Sequence, residues 1–150
     1  MRAILANNLY MCLATVDGAH PWMSPVYYSF DEHLTFYFVS ESTSDHVGFL
    51  LANPEVALAI YDSRHPPYTS DGVWVKGRAC PVSAEELPMV LENYCNRPHR
   101  ATIENAPEDL SAADLLSKTH LRWFKVVPRY VYGWDAAVFD RDRRREVPLP

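Results

Sequence analysis

The hydroxyl run Ser40-Glu41-Ser42-Thr43-Ser44, followed at once by Asp45-His46, gathers the side chains of this chain best suited to chemistry. Serine and threonine hydroxyls donate to phosphate oxygens, and a protonated histidine ring pairs with an anion. The residues behind them, DHVGFLLANP, read as a short amphipathic helix with Ser44 as its N-cap. The hydroxyls therefore stand where a first helical turn leaves unpaired N–H groups and the positive end of the peptide dipoles. A cation such as His46 at that end opposes the dipole, a tension that an anion relieves. A phosphate is the commonest anion so held, which makes a phosphorylated cofactor the first chemistry to test.

No second constellation competes with this one. His20, His65, His99 and His120 show no metal-ligand spacing with one another or with cysteine, so no metal site is expected. Glu32, Asp62 and Asp71 form no carboxylate pair, and no G-x-S-x-G elbow supports a serine nucleophile. The catalytic residues stay unassigned. Trp74 alternates with Val73 and Val75 on a strand, a pattern for a core or interface indole, and Tyr68 in the loop before it is placed to cover a cleft.

The elements that must position the hydroxyl run follow from the punctuation of the chain. Residues 2–8 read as a leading helix, and Leu9–Val16 as a strand closed by the hairpin signal Asp17-Gly18. His20–Phe30 is a second strand broken by Pro21 and Pro25. Proline cannot donate to a ladder, so this strand must lie at an edge, at a bulge, or open toward a ligand. Leu34–Ser40 leads into the hydroxyl turn, and a helix over 44–52 is expected to bury Val47, Leu50 and Leu51. Glu55–Tyr61 and Gly72–Val82 are strands around the Pro-rich loop DSRHPPYTSD. Ser83-Ala84-Glu85-Glu86 is a capping box for a helix reaching Tyr94, in which Pro88 costs an early bond and threatens a kink. A short helix is expected around 108–117, and two strands, Leu121–Val127 and Arg129–Trp134, meet at Pro128. The fold class is mainly β with short helices, a six- to seven-stranded antiparallel barrel.

Composition narrows the partners. A single domain over residues 1–140 and a charged tail over 141–150 suit 150 residues that are 48% hydrophobic and 22% charged. The net charge of −5 gives no basic face for nucleic acid, and the arginines near 141–145 are interleaved with acids, as in a solvated tail. No apolar run reaches membrane-spanning length, and MRAILANN lacks the apolar core and small-residue cleavage site of a signal peptide. Cys12, Cys80 and Cys95 form neither a disulfide framework nor a CxxC pair, which makes the cytoplasm the expected compartment, with Cys12 and Cys80 as core thiols.

The runs LATVDGAHPWMSPVYYSF, SDHVGFLLANPEVALAIYD, GVWVKGRACPVSAEE and WFKVVPRYVYGWD resemble the pyridoxamine 5′-phosphate oxidase-like, FMN-binding split-barrel superfamily over residues 3–135. The resemblance implies a split barrel that forms homodimers, with a flavin in each of two interface clefts. Ser24 and Ser29 match places where the oxidase sets basic residues against the flavin and its phosphate. Pro25, Val26, Tyr27 and Tyr28 would run along the isoalloxazine, and Val39 and Ser40 would meet the ribityl phosphate. Ser44, Asp45 and His46 match a Ser-Arg-Lys triplet that grips the phosphate, with Asp45 facing away, and Trp74 would stack near the flavin.

The implied function is FMN-dependent oxidoreduction of a small molecule. The alternatives within the superfamily are deazaflavin F420-dependent reduction, or non-catalytic binding of flavin, F420 or heme. The cationic positions of the phosphate grip have become serine, aspartate and histidine here, and the vitamin-binding residues of the oxidase itself are not visible.

Overall fold

Alternation at period two divides each strand between an inner and an outer face, and the inner faces meet around one apolar centre. The computed structural model describes residues 1–64, 72–97, 111–134 and 144–150. In order these form α1 (Arg2–Asn7), β1 (Tyr10–Asp17), β2 (His20–Tyr27), β3 (Ser29–Phe30), β4 (Phe36–Glu41), α2 (Asp45–Ala52), β5 (Glu55–Tyr61) and β6 (Gly72–Pro81). They continue with α3 (Leu87–Cys95), α4 (Ala112–Ser117), β7 (Leu121–Trp134) and β8 (Arg144–Val147).

The strands pair antiparallel in the order β2-β1-β5-β6-β7-β4-β3, with β8 added to β7. Because β3 follows β2 after a single residue, Tyr28, the sheet curls back on itself. The end strand β2 approaches β4, next to the other end, without a ladder between them, which leaves the barrel split along one seam. The proline-bearing strand is thus an edge strand, as its missing N–H groups require. The β1–β2 hairpin turns through Gly18-Ala19, with Gly18 at φ 58°, a left-handed value that glycine adopts without steric cost.

The main core fills the curl: Met11, Leu13, Tyr28, Phe36, Phe38, Ile60, Val73 and Phe124 are all closed off from solvent, and Val47 and Leu50 of α2 plug one end. Leu51, expected in this core, is 52% exposed, because a helix of two turns presents only the Val47–Leu50 side to the barrel. A second cluster lies outside the sheet, where Tyr37, Trp123, Val90, Leu91 and Tyr94 join β4 and β7 to α3.

One expectation at α3 is met, and those for Pro88, β7, the tail and two cysteines are modified. The capping box at Ser83 and Glu86 is present, with each backbone N–H donating to the other's side chain at 3.0 and 3.3 Å. Pro88 falls in the first turn of α3, where its missing N–H has no partner to lose, so the early bond and the kink do not arise. Leu121–Trp134 is one strand, and the disturbance at Pro128 is absorbed by a register shift opposite Gly77. A Cβ at Gly77 would lie 2.6 Å from the Val127 carbonyl oxygen, so this close crossing needs a glycine. Part of the expected tail, Arg144–Val147, is strand β8. Cys12 and Cys80 are half-buried rather than core residues, since both sit on outward positions of their strands.

Candidate cofactor site

The end of β4, the hydroxyl turn and the first turn of α2 bring three of the expected residues to one point. The ring Nε2 of His46 shares a hydrogen bond with Ser40 Oγ at 2.8 Å and lies 3.4 Å from Ser44 Oγ. Ser40 is 9% exposed and extends the inward row of Phe36 and Phe38 to the open end of the barrel. Ser44 is the N-cap residue of α2, but its hydroxyl donates back to the Glu41 carbonyl at 2.8 Å instead of accepting from the helix. Its lone pairs and the first N–H groups of α2 are therefore not consumed by a side-chain cap. Burial holds the His46 pKa below its ordinary value, against a smaller opposing pull from Asp45. Asp45 is exposed, and Glu41, its neighbour across the turn, points to the opposite face of β4 from Ser40.

Ser24 stands on the inward face of the edge strand, opposite Leu13. Its hydroxyl accepts from Trp22 Nε1 at 3.1 Å, and the Trp22 indole meets Phe49 of α2 edge to face at 6.0 Å. Val26, on the same face of β2, spends its side chain on the main core. Pro25 and Tyr27 point the other way, outward. The register carries Pro25 through Cys12 and Ala59 to Trp74 and on to Tyr132, one row across five strands on the outer face. Trp74 thus lies on the same face as Pro25 but three strands away, and the Arg144 guanidinium sits 4.4 Å from its ring centroid. Tyr27 packs edge to face on Tyr94 and Tyr10. Val39 faces the second apolar cluster, opposite to Ser40, because adjacent strand residues alternate. Ser29 is likewise turned away from Ser40, buried on the α3 side of β3.

The expected residues therefore divide into two sets. Ser40, Ser44 and His46 meet at one point and Ser24 faces inward on β2; Pro25, Tyr27 and Trp74 lie on the outer face. A groove of about 770 Å³ on the outer side opens where β1 and β5 diverge, lined by Tyr10, Cys12, Ala59, Tyr61 and Arg64 among others. It is not the Ser40 corner. An elongated ligand can touch both sets only by crossing the free edge of β2, which is where the sheet is open.

Sequence reasoning missed that Arg122 and the His120 backbone lie beside the corner. Arg122 of β7 is directly opposite Ser40 in the β4–β7 ladder, so both side chains stand on one face. One step further, the Ser42 N–H donates to the His120 carbonyl at 2.9 Å. Both Arg122 and His120 are exposed. No local motif signals this pairing, because about eighty residues separate the two strands.

A third missed residue, Arg97, is 6% exposed and binds backbone rather than ligand. Its guanidinium donates to the carbonyls of Leu5, Asn8, Leu9 and Tyr28 and lies over the Tyr28 ring at 4.1 Å. Among the described residues no group of three histidines, cysteines or carboxylates could hold a metal ion, and no helix is long and apolar enough to cross a membrane. His65, His99, Tyr68 and Asp71 lie outside the described residues.

The family model described as Pyridoxamine 5′-phosphate oxidase matches residues 1–135. The chain belongs to that family. No curated protein matches it in sequence. Among solved structures it is similar to a heme-binding protein from Mycobacterium smegmatis, with TM-score 0.74 and 19% identity over 97% of this chain and 55% of that one. It is similar also to a protein of unknown function from Agrobacterium tumefaciens (TM-score 0.68, 16% identity, 87% and 53% covered). A FAD-binding protein from Mesorhizobium loti shares the fold at TM-score 0.64 and 19% identity, with 88% and 89% covered. The chain thus spans about half the length of the first two. At these identities the likeness shows the fold alone, and membership of the family rests on the match over residues 1–135.

Proposed function

We propose that the chain is an FMN-dependent oxidoreductase acting on a small molecule, as a cytoplasmic homodimer with flavin in the clefts between subunits. One observation carries this reading. Ser40, Ser44 and His46 converge within 3.4 Å of a single ring nitrogen at the start of α2. The donor set fits a phosphate monoester: two hydroxyls, an imidazole and first-turn N–H groups, with the neighbouring carboxylates of Asp45 and Glu41 exposed.

When bound, FMN supplies the two-electron redox chemistry. The chain's residues bind and orient. Ser40, Ser44 and His46 would hold the phosphate, Val39 would contribute backbone beside it, and Ser24, Pro25, Val26 and Tyr27 at the free edge of β2 would hold the ring. The outer face exposes Tyr10, Met23 and Tyr61 at 58%, 62% and 52%, an apolar patch of the kind that a second copy covers. Trp74 belongs to that face and would approach the flavin from it. A small-molecule substrate would enter from the same cleft.

The test is the absorption spectrum of freshly purified protein and its change on titration with FMN. Flavin bands that survive desalting support the reading. Protein that stays colourless after incubation with FMN overturns it. A second reading, heme binding without turnover, draws on the similarity to the mycobacterial heme-binding protein. Titration with hemin separates it by an intense Soret band, and titration with F420 separates a deazaflavin-dependent reductase by tighter binding of that cofactor than of FMN.

A further inference from the structure

We infer that Arg122, contributed by β7, is the cation that completes the anion seat formed by Ser40, Ser44 and His46. This rests on the reading of that corner as the seat of a phosphate monoester.

A monoester dianion needs positive charge near it, and the helix turn itself offers none: its first residues are Asp45 and a histidine whose burial favours the neutral ring. The ladder supplies what the turn lacks. Ser40 and Arg122 are direct partners between β4 and β7, which places their Cβ atoms about 5 Å apart on one face. A guanidinium on a side chain of that length reaches the space above Ser40 Oγ, where His46 Nε2 already points. Arg122 is exposed and makes no ion pair or hydrogen bond among the described residues, so its donors are uncommitted. The other basic side chains of β7 are engaged elsewhere: Lys125 pairs with Glu86, and Arg129 holds Glu55 through two bonds at 2.9 and 3.1 Å.

The fork of a guanidinium also matches the paired oxygens of a terminal phosphate in a way that an ammonium does not. The seat then reads as strand–turn–helix on one side and a charged strand end on the other, selecting a terminal monoester over an uncharged ribityl chain.

The experiment compares FMN with riboflavin, which lacks the phosphate, by flavin fluorescence in wild type, Arg122→Ala, Arg122→Lys and Ser40→Ala. The expected result is that Arg122→Ala weakens FMN binding by about tenfold or more, leaves riboflavin within about twofold, and is partly repaired by Arg122→Lys. An Arg122→Ala protein that binds FMN like wild type, while Ser40→Ala is weakened, overturns the role of Arg122 and leaves the flavin reading standing. If wild type binds neither flavin, the flavin reading fails, and the seat is judged by inorganic phosphate alone. A saturable shift of the His46 ring resonances that Arg122→Ala abolishes upholds Arg122 as the anion's cation. No such shift in wild type, or the same shift in the variant, overturns it.

Discussion

His46 and Ser40 are joined at 2.8 Å across the junction of α2 and β4, so the ring that opens the helix is fastened to the last inward residue of the strand before it. Half-burial at that junction disfavours the charged ring. The pair is therefore a neutral hydrogen bond near pH 7 and an anion-demanding one in acid.

A pH dependence follows. The His46 pKa is lower in the folded chain than its ordinary 6.5, so the unfolded state binds more protons as pH falls below that value. The contribution of His46 to stability is present above pH 6.5 and is lost as pH falls through the folded pKa. Thermal melts from pH 7.5 to 5 should show a declining Tm that His46→Gln flattens. Added phosphate should restore part of the loss, because an anion favours the imidazolium.

Arg97→Ala should be among the most damaging single changes. It removes a buried charge and takes a donor from each of the Leu5, Asn8, Leu9 and Tyr28 carbonyls, of which Leu5 and Leu9 keep the Tyr28 hydroxyl and N–H as donors. A loss of about 3–5 kcal/mol is expected in urea denaturation, a large share of a typical domain's stability. Arg97→Lys should recover little, since one ammonium cannot serve four carbonyls spread around a planar fork.

Thr15→Val should stabilise the chain. Thr15 is 1% exposed, and its Oγ1 has no hydrogen-bond partner among the described residues. Replacing an unsatisfied hydroxyl by an isosteric methyl removes a desolvation penalty of about 1–3 kcal/mol. A Tm unchanged or lowered in this variant would show that the hydroxyl is satisfied in solution.

The outer face gives a prediction for assembly. Ala59 stands at the centre of the row from Pro25 to Tyr132, so Ala59→Glu places a charge in the middle of the proposed interface. Light scattering should report a dimer for wild type and a folded monomer for the variant, with flavin binding lost alongside. A wild type that is monomeric at micromolar concentration would remove the interface cleft from the proposal.

The parts of this fold that could be read in the sequence are those with local causes. Pro21 and Pro25 mark an edge strand, Asp17-Gly18 a hairpin, and Ser83 with Glu86 a capping box, and each is found where its chemistry demands. The meeting of Ser40, Ser44 and His46 is local too, since seven residues of strand, turn and helix fix it. What stayed hidden depends on pairing between distant segments. Arg122 opposite Ser40, and Arg97 against the end of α1, are set by the order in which strands close the curl. Alternation also divides the expected ring contacts: Pro25 and Tyr27 face outward while Ser24 and Val26 face in, a partition that follows once β2 is known to be a regular strand.

Strand β8 gives the outer face a removable cover. Arg144 rests on the Trp74 indole, and Val147 reaches back to the main core, so the four residues of β8 join a surface otherwise built from β1, β2, β5, β6 and β7. Shortening the protein ahead of Arg144 would take the guanidinium off the indole and free an edge of β7 in the same stroke. Binding or self-association measured on such a truncated form would report on a different molecule from the one described above.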